Sequence, residues 1–68
     1  MIKLSEREFA FLKILGKVGI IVNPDPAQEK LGANLELKRL ARVTARRIRI
    51  KAQGLVELQQ RGALAKIA

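Results

Sequence analysis

The chain has no cysteine, histidine, tyrosine or tryptophan, and its only aromatic side chains are Phe9 and Phe11. Without Cys or His there are no disulfides and no thiolate or imidazole metal ligands. A small core must then be reinforced by dense packing or by self-association, and a homodimer is one expected form. Carboxylates are scarce as well. Glu6, Glu8, Asp25, Glu29, Glu36 and Glu57 stand against fourteen Lys and Arg, a formal net charge of +8. Glu6, Glu8 and Asp25 fall where helix N-termini are expected, and negative charge there complements the helix dipole. No nucleophile–base pair can be assembled, and Gly16-x-x-Gly19 lacks the rest of a phosphate-binding motif. An enzyme is not expected, nor is a cofactor, a metal or a small-molecule ligand. No apolar run approaches the roughly 18 residues that a membrane span needs. The start, Met1-Ile2-Lys3-Leu4-Ser5-Glu6, lacks the order of a signal peptide, so a cytoplasmic, nucleoid-associated location without a membrane partner is expected.

What is present is basic charge, and it is clustered. The 68 residues allow one domain, 1–68, which buries only about 60% of the unfolded chain's surface. The sequence pI is near 11.0, in the range of nucleic-acid-binding domains. Half of the basic residues, namely Lys38, Arg39, Arg42, Arg46, Arg47, Arg49 and Lys51, crowd between Lys38 and Lys51 with no carboxylate among them. Drawn as a helix at about 100° per residue, the stretch has two faces. Lys38, Arg42, Arg46, Arg49 and Gln53 share one side, with Arg39 at its edge. Leu37, Ala41, Thr44, Ala45, Ile48 and Ala52 lie roughly opposite.

Local signals place the other elements. Ser5-Glu6-Arg7-Glu8 reads as a capping box, with Leu4 and Phe9 as a hydrophobic staple, and opens a helix over about 5–15 that stops at Gly16. Phe9 and Phe11 follow that cap and share the helix's apolar face, so they are assigned to the core. Ile20-Ile21-Val22 reads as a strand too short to stand alone. Asp25 as N-cap, Pro26 at N1 and Gln28 at N3 open a second helix over about 26–32, ending at Gly32. Asn34 then caps a third helix over about 35–53, ending at Gly54. Within it Arg47-Ile48-Arg49-Ile50-Lys51-Ala52 also alternates strictly and fits a strand, and a break at Val43-Thr44 is compatible. The two-faced pattern over more than four turns favours the helix. Strands over about 55–58 and 63–67 would form a C-terminal hairpin, with Arg61 at its tip and Gly62 supplying a positive φ.

This order of elements, mainly α with a small antiparallel β-hairpin, resembles the winged helix-turn-helix family. The run Ile50-Lys51-Ala52-Gln53-Gly54-Leu55-Val56-Glu57 looks like that family's junction between recognition helix and first wing strand. Arg46 and Arg47 depart from its apolar pattern, and Gly32 stands where its second helix carries alanine. The resemblance implies double-stranded DNA as partner, the third helix in the major groove and the wing against the backbone. The residues expected to touch nucleic acid are Lys38, Arg39, Arg42, Arg46, Arg47, Arg49 and Arg61, since the Arg fork matches both guanine O6/N7 and phosphate oxygens. The expected function is a small transcriptional regulator. A nucleoid-type architectural or RNA-binding protein, reading backbone and shape, and an adaptor for an acidic protein partner are the alternatives.

Overall fold

A computed structural model of the chain describes residues 3–62. It contains α1 (Glu6–Val18), β1 (Ile20–Val22), α2 (Pro26–Leu37), β2 (Ala41–Thr44), β3 (Arg47–Ile50) and α3 (Ala52–Gln60). Three helices pack with a three-stranded antiparallel sheet of order β1-β3-β2.

Two of the three expected helix starts, at Ser5 and Asp25, are present as reciprocal capping boxes. The Glu8 amide donates to Ser5 Oγ at 3.1 Å, and the Ser5 amide donates to Glu8 Oε1 at 2.9 Å. Asp25 and Gln28 repeat the arrangement at 2.8 and 3.1 Å, with Pro26 in the first turn. Each box satisfies amides that a helix's first turn leaves without partners.

The expected helix ends are corrected. α1 runs through Gly16 to Val18 and ends at Gly19, which takes a φ of 79° and donates its amide to the Leu15 carbonyl at 2.7 Å. α2 runs through Gly32 and Asn34 to Leu37, so Asn34 caps nothing. Gly32 is there because β3 passes close to it: a Cβ would stand 2.7 Å from Ile48 Cδ1. Gly54 likewise ends no helix. It is the third residue of α3, where a Cβ would run into the Leu40 carbonyl oxygen and Ile50. These glycines mark close packing, against the Ile48 side chain at Gly32 and against the Leu40 backbone and Ile50 at Gly54, rather than chain reversal.

The largest correction concerns 35–53. Only its two ends are helical, Leu35–Leu37 as the last residues of α2 and Ala52-Gln53 as the first of α3. Lys38–Leu40 make a turn in which Arg39 takes a φ of 63°, and β2 and β3 follow as a hairpin closed by Ala45-Arg46. The alternating pattern wins over the helical one for two reasons. Val43, Thr44, Ile48 and Ile50 are β-branched and suited to a pleated surface. β1 also needs a partner, since three residues cannot form a sheet by themselves. It finds β3, with Ile20, Ile21 and Val22 opposite Arg49, Ile48 and Arg47.

The segment 55–58, expected as a strand, lies within α3, and Gly62 follows that helix rather than a strand; the expected strand over 63–67 lies outside the described residues. Phe11, Leu12 and Leu15 of α1 meet Leu35, Leu40, Ala41, Ile48 and Leu58 in one core, with Phe9, Leu31, Ile21, Val43 and Ile50 at its margin. Phe11 lies in the core as assigned, and Phe9 packs against its margin. No helix among the described residues is long and apolar enough to cross a membrane.

Candidate nucleic-acid interface

Strand periodicity sorts the sheet into two faces. Ile21, Ile48 and Val43 stand side by side across the three strands and turn toward the helices, as do Ala41 and Ile50. The outward face is made of two rows: Ile20–Arg49–Arg42 and Val22–Arg47–Thr44. Three arginines and a threonine therefore occupy every outward position of the hairpin, and all four are exposed. A shallow basin lies between them, lined by Ile20, Arg42, Thr44, Arg47 and Arg49.

Arg42 is the direct cross-strand neighbour of Arg49. Like charges in that position are destabilising, and Arg47 two residues along adds to the repulsion. Among the described residues Arg39, Arg42, Arg46, Arg47 and Arg49 form no ion pair. The one carboxylate that reaches the hairpin, Glu36, is engaged with its backbone. Its Oε2 accepts the Val43 amide at 3.0 Å, which occupies a donor on the open edge of β2.

Two further arginines bracket this face. Arg39 precedes β2 and Arg46 closes the hairpin, with φ of 63° and 57°. An L-residue with a Cβ held in the left-handed region costs about 1–2 kcal/mol, and glycine or asparagine is the ordinary occupant. The backbone fixes the Arg46 position through the Asn23 amide, which donates to the Arg46 carbonyl at 2.8 Å. Arginine at two such positions is a local disadvantage of the kind that collects at functional sites.

The other two expected site residues are elsewhere. Lys38 Nζ donates to Glu8 Oε1 at 2.7 Å, tying the end of α2 to the start of α1. Glu8 is buried, and its carboxyl is held below the ordinary carboxylate range, first by the Lys38 ammonium and next by the Ser5 amide, against the opposing effect of burial. Arg61 is not the tip of a wing. It caps the C-terminus of α3, donates from Nε to Glu57 Oε2 at 2.6 Å and lies over the Phe9 ring, which Lys13 also approaches at 4.9 Å. The helical face of Lys38, Arg42, Arg46, Arg49 and Gln53 does not form, because those residues are spread over a turn, two strands, a loop and α3.

The structure thus gathers Arg42, Arg47 and Arg49 on one surface, sets Arg39 and Arg46 in the turns beside it, and withdraws Lys38 and Arg61 into ion pairs. Ile20, Val22 and Thr44 share that surface and were not expected there. The alternation from Arg47 to Ile50 is the sequence signal that points to them. No group of His, Cys, Asp or Glu able to hold a metal ion occurs among the described residues. No protein-family model, curated protein or solved structure matches the chain.

Proposed function

We propose that this chain is a DNA-binding protein of the small transcriptional-regulator kind, and that it docks through the outer face of its sheet rather than through a helix. The observation that carries the reading is the face itself. Arg42, Arg47 and Arg49 lie side by side, two of them directly opposed, with no carboxylate paired to them among the described residues. A polyanion supplies the missing counter-charge, and strands laid in a groove are one of the ways a protein reads duplex DNA. The αL arginines in the turns add cationic groups at both ends of β2.

A winged-helix likeness draws support from the succession helix, strand, helix, hairpin, in which β2–β3 stands in the place of the wing. The recognition helix has no counterpart between Leu37 and Ala41. In this reading the contact surface passes from that helix to the hairpin.

The test is a salt titration of duplex DNA binding. Five arginines on phosphates correspond to a slope of about −4.5 in log affinity against log salt, at about 0.9 per contact. A slope near zero, or no binding to duplex DNA at low salt, would sink the proposal.

A further inference from the structure

The basic residues are unevenly distributed by type: five of the seven arginines fall in the hairpin and its turns, with Arg7 on α1 and Arg61 at the end of α3. Between Arg39 and Ile50 all five are arginine and none is lysine, although the chain as a whole has as many of one as of the other. The lysines Lys13, Lys17, Lys30 and Lys38 stand on or beside helices, and Lys51 follows the hairpin. Diffuse attraction to phosphate is served equally by either residue. Arginine differs in its planar fork, which donates two parallel hydrogen bonds to a pair of acceptors. On a base edge in the major groove, guanine O6 and N7 are such a pair.

The neighbours on the face fit the same ligand. Thr44 and Val22 flank Arg47 in one cross-strand row, and Val22 is 55% exposed beside it. Val22, with no polar group, has little to gain from a phosphate, and Thr44 carries a methyl group beside its hydroxyl. Each gains an apolar contact from the C5-methyl of thymine, which only the major groove presents.

From this distribution and this row, and resting on the DNA-binding reading above, we infer that the outer face of the sheet reads base edges in the major groove. Arg42, Arg47 and Arg49 take guanine O6/N7, and Thr44 and Val22 take adjoining thymine methyl groups. Arg39 and Arg46, in the turns, grip phosphates. Binding is then selective for guanine next to thymine, and the two sets of arginines have separable roles.

The experiment uses the full chain and duplexes selected by it from a random pool. Each guanine of a selected duplex is replaced in turn by 7-deazaguanine, which removes the N7 acceptor and leaves every phosphate in place. The expected result is a selected site containing guanine, with binding weakened at least about fivefold at two or more guanines and an unchanged salt slope. Arg49→Lys, which keeps the charge and the length, should lower the preference for the selected site over random duplex about tenfold or more, and Arg46→Lys should not. If the pool yields no preference, or 7-deazaguanine changes nothing while the salt slope stays near −4.5, base reading is overturned and DNA binding stands. If the chain binds no duplex, both fall.

Discussion

The helical layer and the sheet treat charge in opposite ways. Around the helices each buried carboxylate has its cation: Glu8 holds Lys38 and Glu57 holds Arg61, and the starts of α1 and α2 are closed by reciprocal caps. On the outer sheet face three guanidinium groups confront one another with no acid between them. Six carboxylates are few, yet none of them is spent on neutralising the hairpin arginines. A chain of 68 residues has little stability to spare. The helical charges serve the fold, and the sheet arginines work against it. That difference is the physical reason to place the function on the sheet.

The sharpest break between the two regions is expected in affinity. Replacing Arg42, Arg47 and Arg49 together by alanine removes three charge-assisted contacts at about 1–1.5 kcal/mol each, or two to three orders of magnitude in DNA affinity. The salt slope should flatten by about 2.7 where all three sit on phosphates, at about 0.9 each, and should change little where they read guanines. Chemical denaturation should show the fold retained with no loss of stability. If the triple variant unfolds instead, the arginines belong to the structure and the division between the regions disappears.

Lys38→Ala should do the reverse. It leaves Glu8, 7% exposed, without its ammonium partner. Orphaning a buried charge costs up to 3–5 kcal/mol, and since the Lys38 side chain is itself 31% exposed, about 2 kcal/mol is expected. The salt slope of DNA binding should not change. The pair also sets a pH dependence. The Glu8 carboxyl is depressed from 4.5, so its contribution is fully present above that value and is lost as pH falls through the lowered one. Urea midpoints of the wild-type chain should therefore drop below about pH 4.5, and those of Lys38→Ala should drop less. Equal acid sensitivity of the two proteins would argue against the pair.

Much of the helical layer can be read in the sequence, because caps are local. Ser5 with Glu8 and Asp25-Pro26 with Gln28 announce where helices begin through residues three apart. Helix ends were harder. Gly16, Gly32 and Gly54 all resemble stops, but each lies inside a helix, and their reason for being glycine is a neighbour distant in sequence. The Lys38–Glu8 pair spans thirty residues and leaves no local trace. The basic stretch was ambiguous for a different reason. Its arginines recur at spacings that satisfy a helical face, while Arg47-Ile48-Arg49-Ile50 satisfies a strand equally well. What decides is tertiary. The isolated Ile20–Val22 needs a partner, and Arg47–Ile50 can turn Ile48 inward against Gly32 only as a strand. Five of the seven expected contact residues remain with the hairpin despite the wrong secondary structure, since charge clustering survives a change of element.

Arg46→Gly probes the turn that joins β2 to β3. Relief of the left-handed backbone is worth about 1–2 kcal/mol, of which glycine's greater freedom in the unfolded chain takes back about 0.5–1. A net gain of about 0.5–1 kcal/mol in stability is expected, together with a salt slope flatter by about 0.9. Loss of stability in this variant would show that the Arg46 side chain supports the hairpin, contrary to its exposed and unpaired position.

The smallest shift in stability is expected at Arg42→Thr. Threonine suits the exposed position of an edge strand, and the change separates the like charges that face each other across β2 and β3. Stability should rise by about 0.5 kcal/mol, read as a higher urea midpoint with an unchanged denaturant slope. The effect should shrink at high salt, since repulsion between exposed charges is screened. DNA binding should lose one contact. A gain in stability coupled to a loss in affinity at the same residue is the combination that a merely solvated arginine does not produce. If Arg42→Thr instead lowers stability at every salt concentration, Arg42 and Arg49 hold each other in place by stacking, and the sheet face is as much a part of the fold as Glu8 and Lys38.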